Sequence, residues 1–344
     1  MKLSTIMGTG LGLALLASTT LGASAQTLRF SSMIPSGHPY TTRVIQVWAD
    51  NVAEATDGRV TIEFLPAMVG SPTTQLEVVE DGLADVSFIN PGYWPGRTDL
   101  LGIAEAPTMS ARSPAASVAT WRFYQNELRP AGVLSEVHVV MVGVSTPGAL
   151  FTLGDPITSA EQMQGMKVRN PLPVTRIMLE GLGAVPISRP ASEAYELMSS
   201  GIVDGSLAGL ESVIPFHYPD IVHSFTTFEG GLYNPTLAVI MNLDAWESIS
   251  EEDRAAIDAV SGESLALLSG NVLQDVADNA FNTLTEQGIA HAEADEAFVA
   301  AVRQASAPVF DNLIQLATEA GLENPEGVFD RFRAMVAQAS AELE

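Results

Sequence analysis

The most informative absence in this 344-residue chain is cysteine, of which there is none. Without cysteine the protein has no disulfide, no thiolate nucleophile, no cysteine-ligated zinc and no iron–sulfur cluster. Lysine is almost absent too, since it occurs at Lys2 and Lys167 alone. A Schiff-base enzyme would therefore depend on Lys167, and no glycine-rich phosphate loop accompanies that residue.

Positive charge is scarce throughout the chain. The sequence has 16 lysines and arginines against 41 acidic residues, which gives a formal net charge of −25. A strongly acidic surface repels a phosphate backbone, so we predict no nucleic-acid partner. Beyond the first 25 residues the chain also lacks a run of about 18 apolar residues, and therefore a predicted membrane span. Apolar residues still make up 47% of the chain, which is enough for a substantial core.

Residues 1–25 have the layout of a secretory signal peptide. Lys2 provides a short basic start, residues 6–16 are apolar or small, and Ala23-Ser24-Ala25 forms an A-x-A cleavage pattern. We therefore predict that the chain is exported to a bacterial periplasm and begins at Gln26 after cleavage. Removal of the segment takes Lys2 with it, so the exported chain is one charge more acidic.

Strand-like segments alternate with helix-like segments, which indicates an α/β fold with parallel, doubly wound sheets. From residue 250 onward the pattern is almost entirely helical. The predicted strands are residues 27–33, 59–65, 84–89, 136–144, 166–169, 184–188, 203–208 and 236–242, and the predicted helices are residues 40–56, 73–81, 173–181, 191–200, 250–268, 271–286, 295–318 and 325–343.

The absence of recognisable catalytic motifs indicates that the protein is not an enzyme. No G-x-S-x-G and no H-E-x-x-H occurs, and the five histidines are dispersed along the chain. We predict no catalytic residue, no metal site and no cofactor. A secreted enzyme that uses acids with tyrosine or histidine is the alternative from another class.

Arg169 occupies a distinctive position. It ends a short predicted strand, immediately before a break and the start of a helix. A planar guanidinium there suits a bidentate contact with an anion. The spacing alone leaves open whether Arg169 clamps an anion or pairs with one of the many acids.

Six short motifs, in order and with family-like spacing, together resemble one protein family. They are residues 56–60 leading to 64–67, residues 77–85, residues 165–169, residues 183–186 with 192–195, residues 201–205 and residues 241–246. The chain resembles the solute-binding proteins of tripartite ATP-independent periplasmic (TRAP) transporters, of the dicarboxylate-binding type. The resemblance covers essentially all of the chain after the signal segment.

The resemblance implies a two-lobed, periplasmic-binding-protein-like α/β fold with a hinge, a long crossing helix and a helical C-terminal part. It places residues 26–150 and about 237–270 in the first lobe, and residues 151–236 and about 271–344 in the second. The implied function is capture of a small organic anion, a carboxylate or sulfonate, between the lobes and its delivery to TRAP membrane subunits. We expect a monomer or weak dimer, and a sensory binding protein that presents ligand to a receptor is an alternative.

In this family the arginine matched by Arg169 forms a salt bridge with the ligand's carboxylate. Many sialic-acid and C4-dicarboxylate binders also carry D-G-Q-E-N, whose asparagine contacts the ligand. Here that run is Asp204-Gly205-Ser206-Leu207-Ala208, and Ala208 has no amide. The resemblance therefore implies a different ligand. Glu211, a few residues further on, either bonds a ligand hydroxyl or amine or caps the following helix.

Further candidates for the ligand site follow from their positions in the chain. One group lies in the break after the third predicted strand, and another precedes the last predicted strand. For Tyr93 and Trp94, packing between the lobes is the alternative role. The additional candidates are His38, Asn90, Tyr93, Trp94, Arg97, Asn170, Phe216, Tyr233 and Asn234.

Overall fold

The computed structural model describes residues 25–109 and 112–344. The predicted signal peptide lies outside the described residues, apart from Ala25 at its end. Within this part of the chain, no helix combines the length and the apolar character needed to cross a bilayer.

Eleven strands of the described chain form two separate sheets. The five-stranded sheet has the order β2-β1-β3-β10-β4, and the six-stranded sheet has the order β11-β9-β5-β8-β6-β7. The strands are β1 (Gln26–Ser31), β2 (Val60–Phe64), β3 (Val86–Ile89), β4 (His138–Val144), β5 (Gly148–Thr152), β6 (Lys167–Asn170), β7 (Val185–Ser188), β8 (Gly205–Gly209), β9 (Ser224–Thr227), β10 (Thr236–Met241) and β11 (Ala290–Glu293).

Each sheet contains one antiparallel strand, so the prediction of wholly parallel sheets is wrong. Strand β10 runs antiparallel to β3 and β4, and β5 runs antiparallel to β8 and β9. A parallel neighbour within one sheet is normally reached through a helical crossover connection. Strands β5 and β10 instead enter from the other sheet through a short connection, which leaves them antiparallel to their neighbours. The connections are residues 145–147, from β4 to β5, and residues 228–235, from β9 to β10. We call them the crossing segments.

Thirteen α-helices of the described chain cover the sheets. They are α1 (Gln46–Ala55), α2 (Gln75–Glu80), α3 (Gly102–Glu105), α4 (Ser113–Phe123), α5 (Pro173–Gly181), α6 (Ala194–Ser199), α7 (Leu210–Val213), α8 (Leu243–Ser248), α9 (Glu251–Ala259), α10 (Gly262–Glu286), α11 (Glu296–Ala305), α12 (Ala307–Glu319) and α13 (Val328–Leu343).

Three predictions about helices in the C-terminal part are wrong. The predicted helix 250–268 is interrupted at Val260 and Ser261, between α9 and α10. The sequence suggested a break near Gly270, but α10 runs through this residue. Gly270 is needed for close packing instead, since a Cβ there would lie 2.6 Å from the Cα of Pro114 in α4. The predicted helix 295–318 is interrupted at Ser306, after which a proline occupies the first turn of α12.

Helix α10 links the hydrophobic clusters of the two sheets. Leu265 and Leu273 lie in the cluster around β1, β3 and β10, whereas Ala280 and Leu284 lie in the cluster around β5 and β9. The C-terminal helix α13 packs against α4, where the rings of Phe332 and Phe123 meet edge to face. Helix α10 therefore contributes to the hydrophobic core of both halves of the molecule.

Candidate functional site

A cleft lies between the two sheets, at the carboxyl ends of their parallel strands. Loops after β1, β3 and β4 supply one wall, and those after β6, β7 and β8 supply the other, in the position where open α/β sheets bind ligands. Its empty volume is about 770 Å³, counting the space at its mouth. The wall is mainly apolar and includes Met33, Ile34, Phe88, Pro171, Pro190, Ala191, Ala208, Phe216, Leu237 and Leu273.

Seven of the predicted site residues line this cleft. They are His38, Asn90, Tyr93, Arg169, Glu211, Phe216 and Tyr233. They come from distant parts of the sequence, and the two sheets bring them together.

Arg169 carries the positive charge of the cleft and is 1% exposed. Its Nε donates to the Arg189 carbonyl and its Nη1 to the Leu207 carbonyl, each at 2.9 Å. Its Nη2 is buried and has no hydrogen-bond partner in the described chain. Within the same residues, no carboxylate lies within 4.0 Å of the guanidinium. The backbone thus orients the group and leaves one edge of its fork free for an anion.

Glu211, the acidic side chain among the cleft residues, is held by hydroxyl groups. The Ser145 hydroxyl donates to one carboxylate oxygen at 2.5 Å, and the Thr146 hydroxyl donates to the other. Burial raises the pKa of Glu211, and these two hydrogen bonds oppose the rise. Glu211 therefore attaches α7 to the first crossing segment, a role that neither sequence alternative anticipated.

The two crossing segments are bonded to each other. The Ser145 amide donates to the Pro235 carbonyl and the Gly148 amide to the Tyr233 carbonyl, each at 2.7 Å. Asn234 Nδ2 donates to the Ser145 carbonyl at 3.2 Å. The segments therefore form one connected strip between the lobes, as a hinge requires.

A second buried carboxylate binds the first residue of β10, directly after the second crossing segment. Glu105 accepts from the Thr236 amide at 3.0 Å and from the Thr236 hydroxyl. Burial raises the pKa of Glu105 to about 7, and the bonds from Thr236 oppose that rise. Glu105 did not emerge from the sequence because a lone acid at the end of a short helix carries no signal.

Besides the bonds to Glu211, two further contacts join the opposite walls of the cleft. The Ala191 amide, after β7, donates to the Tyr93 hydroxyl, after β3, at 3.2 Å. The rings of His38 and Phe216 lie with their centroids 6.0 Å apart. Burial lowers the pKa of His38 to about 4, so this ring is neutral at pH 7, and its Nδ1 accepts from the Tyr40 amide. The neutral ring adds no positive charge to the cleft.

Four predicted site residues do not line the cleft. Trp94 donates from Nε1 to both oxygens of Glu77 at 2.9 Å. Arg97 forms an ion pair with Glu80 on the surface. Asn170 Nδ2 donates to the Leu172 carbonyl, and its Oδ1 accepts from the Ser188 hydroxyl of the neighbouring strand β7. Asn234 belongs to the strip described above. Their positions in the chain are near the site, but their side chains bond to other groups outside the cleft lining.

Sequence reasoning also missed several cleft residues. Ser145 follows a predicted strand and could have been found from its place at that strand's carboxyl end. Phe88 and Leu237 lie inside strands, where an apolar residue is indistinguishable from core. The apolar character of the cleft therefore carried no sequence signal.

The fold and the cleft define a two-lobed binding protein. The sequence model of the bacterial extracellular solute-binding protein family 7 (DctP) matches residues 30–316. The chain belongs to this family, which confirms both the predicted TRAP solute-binding class and the two-lobed α/β fold. The family is one of solute binding and transport, not an enzyme family, and TRAP solute-binding proteins are periplasmic.

Three relatives illustrate the similarity. A TRAP periplasmic solute-binding protein from Bordetella bronchiseptica, solved with (R)-mandelate and (S)-mandelate, is 32% identical, with a TM-score of 0.87 over 91% of this chain and 99% of its own. A marine metagenome TRAP solute-binding protein specific for aromatic acid ligands, solved with 3-hydroxybenzoate, is 27% identical, with a TM-score of 0.85 over 92% and 99%. The outer membrane transporter protein TsaT of Comamonas testosteroni is 29% identical over 94% of this chain and 96% of that protein.

Proposed function

We propose that this protein captures a small organic acid with one carboxylate and an apolar, preferably aromatic, body. The observation that carries the proposal is the free Nη2 of buried Arg169 in a largely apolar cleft. A carboxylate there gains a charge-assisted hydrogen bond, and the rest of the ligand contacts apolar side chains.

The charge of the cleft favours a monoanion over a dianion. Among the described residues that line it, Arg169 is the only arginine or lysine, and Glu211 is the acid. A second carboxylate would lose its hydration without gaining a cation, which is costly in a buried site. Ala208, where C4-dicarboxylate binders carry an asparagine, lies in the same wall and offers no hydrogen bond to a second polar group.

The relatives support an aromatic ligand. The Bordetella protein binds mandelate, and the metagenome protein is specific for aromatic acids. Both ligands in those structures are monocarboxylates on a single ring, and they match the arrangement of one guanidinium and an apolar wall in this cleft.

Capture would serve transport. In this proposal the chain is exported through residues 1–25, its lobes close on the ligand, and it delivers the ligand to TRAP membrane subunits as a monomer or weak dimer. The proposed lobes are residues 26–150 with 237–270 and residues 151–236 with 271–344. The crossing segments lie near the first two of the three changes, which supports those boundaries, whereas the third falls inside α10. A ligand-presenting sensory role would use the same cleft without the membrane subunits.

Calorimetric titration tests the ligand class. We expect benzoate, mandelate and 3-hydroxybenzoate to bind with dissociation constants near micromolar, and succinate to bind at least about a hundredfold more weakly. Titration with benzenesulfonate tests whether the cleft also accepts a tetrahedral anionic group in place of the planar carboxylate on the same ring. Mass spectrometry of ligand co-purified under native conditions gives an independent identification.

The proposal is wrong if succinate binds as tightly as benzoate, or if no monocarboxylate binds. Return of intact ligand after long incubation is expected, and conversion of the ligand would favour the enzyme alternative. Association with purified membrane subunits that depends on ligand would separate transport from a sensory role.

A further inference from the structure

The hydroxyl of Tyr233 is a buried polar group without a partner. In the described part of the chain, three buried side-chain atoms have no hydrogen bond, and they are Arg169 Nη2, Tyr233 OH and Asn234 Oδ1. The first two belong to residues that line the same cleft. A buried donor without an acceptor destabilises the protein that contains it, so two of them in one cleft require an explanation.

The sheet register brings both donors to the carboxyl end of β8. Arg169 on β6 is paired with Ser206 of β8, and its Nη1 reaches the Leu207 carbonyl. Gly148, at the start of β5, is paired with Gly209 at the end of β8. The Tyr233 ring lies directly over Gly148, so the phenol and the guanidinium approach the same end of one strand.

The ring of Tyr233 is fixed in position before any ligand arrives. A Cβ at Gly148 would lie 1.9 Å from Cε1 of Tyr233, which shows how closely the ring covers the backbone. The Gly148 amide also donates to the Tyr233 carbonyl at 2.7 Å. A donor held this rigidly loses little freedom when it binds.

The phenol keeps its proton at neutral pH. Burial raises the pKa of Tyr233 well above its ordinary value of 10.0, and the nearby charge of Arg169 opposes this rise. A protonated phenol facing the cleft can donate to an oxygen of the ligand.

We propose that the Tyr233 hydroxyl donates a second hydrogen bond to the ligand's carboxylate, beside the bond from Arg169 Nη2. The inference rests on the proposed function, since it concerns the same site and the same class of acid. One carboxylate oxygen accepts from each donor, so the pair selects a group with two acceptor oxygens. A carboxamide offers one acceptor and directs an N–H at the remaining donor.

Tyr218 provides a matched control. It is also a fully buried tyrosine, but its hydroxyl is bonded to the Ser206 hydroxyl at 2.9 Å, and it does not line the cleft. Removing the hydroxyl should therefore have opposite consequences at the two positions.

The experiment measures benzoate binding by calorimetry and ligand-free melting temperature for the wild type, Tyr233→Phe and Tyr218→Phe. For Tyr233→Phe we expect benzoate to bind about tenfold or more weakly, while the ligand-free melting temperature stays equal or rises. For Tyr218→Phe we expect the melting temperature to fall and the dissociation constant to stay within about twofold. Benzamide should bind the wild type far more weakly than benzoate.

The outcomes separate this inference from the proposed function. If the wild type binds none of benzoate, mandelate and 3-hydroxybenzoate, both fail. If the wild type binds benzoate through Arg169 but Tyr233→Phe binds it equally well, this inference alone is overturned. A lower ligand-free melting temperature for Tyr233→Phe would also overturn it, because the hydroxyl would then have a partner in the free protein.

Discussion

Among the described residues, charged side chains differ in their partners between the outer surface, where arginines form ion pairs, and the region between the lobes, where they do not. On the surface, Arg122 lies 2.7 Å from both Glu263 and Glu342. Between the lobes, Arg169, Glu105 and Glu211 are buried, and none of them forms an ion pair within the described chain.

This difference shows where charge serves stability and where it serves function. Exposed ion pairs each contribute little, because water and salt screen them. A buried charge without a counterion is costly, so a fold keeps one only where something else needs it. In the function proposed above, Arg169 binds the ligand. Glu211 holds the first crossing segment and Glu105 holds the first residue of β10, both through neutral hydroxyl or amide donors.

Arg169→Ala should have the largest effect. We expect it to weaken binding of an aromatic monocarboxylate by about 3–5 kcal/mol, because the ligand's charge would be buried without a partner. Calorimetric titration of the purified variant with benzoate measures this loss.

Arg169→Lys is the companion variant, since it keeps the charge and loses the planar fork. Its loss should be smaller than that of Arg169→Ala. Both substitutions remove the guanidinium that donates to the Arg189 and Leu207 carbonyls, which could destabilise the fold. Circular dichroism therefore checks that both variants are folded. An unchanged dissociation constant in Arg169→Ala would remove this residue from the site.

Glu105→Gln should have the next largest effect, visible in the pH dependence of stability. The folded-state pKa of about 7 lies above the ordinary value of 4.5, so the folded protein binds a proton that the unfolded chain has released. Stability from this group is present below about pH 4.5 and is lost as the pH rises towards about 7, by about 3 kcal/mol in all. Glutamine keeps the acceptor for the Thr236 amide but cannot ionise.

Urea denaturation between pH 4 and pH 8 tests this expectation. The free energy of unfolding of the variant, relative to the wild type, should increase with pH across that window. A constant difference between the two proteins would show that Glu105 ionises normally.

Arg122→Ala should have the smallest effect and represents the surface side of the comparison. We expect a loss of at most about 1 kcal/mol in the free energy of unfolding, since Glu263 and Glu342 are more than 40% exposed. Benzoate affinity should not change. A large loss of affinity would mean that packing of α13 against α4 controls the cleft, and the separation between surface and cleft would no longer hold.

The sequence predicted regular elements well where the pattern was periodic. Helix α5 has the predicted bounds, and β1 and β2 differ from prediction by a residue or two. Strands β5, β9 and β11 were missed, because a short buried strand has no alternation and an edge strand of four residues has little pattern at all. The break near Gly270 was wrong because a glycine required by a neighbouring helix resembles a helix stop.

The sequence predicted the chemical character of the site better than it predicted which residues line the cleft. Arg169 and Tyr233 line the cleft, as expected from an arginine that ends a predicted strand and a tyrosine that precedes one. Trp94 and Arg97 were expected in the cleft because the chain breaks there, but sequence position does not give the direction of a side chain. The attachment of Glu211 to Ser145 and Thr146 depends on two lobes meeting, which no local pattern records.

Helix α10 has a mechanical consequence for any change in the cleft. Its 25 residues span about 37 Å as a single rod, with one half embedded in each hydrophobic cluster. Rotation of one lobe against the other must therefore either bend this rod or shear one of the two clusters along it. A further hydrophobic cluster contains residues of both sheets, among them Val144 and Val168, so the same rotation must also rearrange that core. Hydrogen exchange near the midpoint of α10 would report strain in the helix.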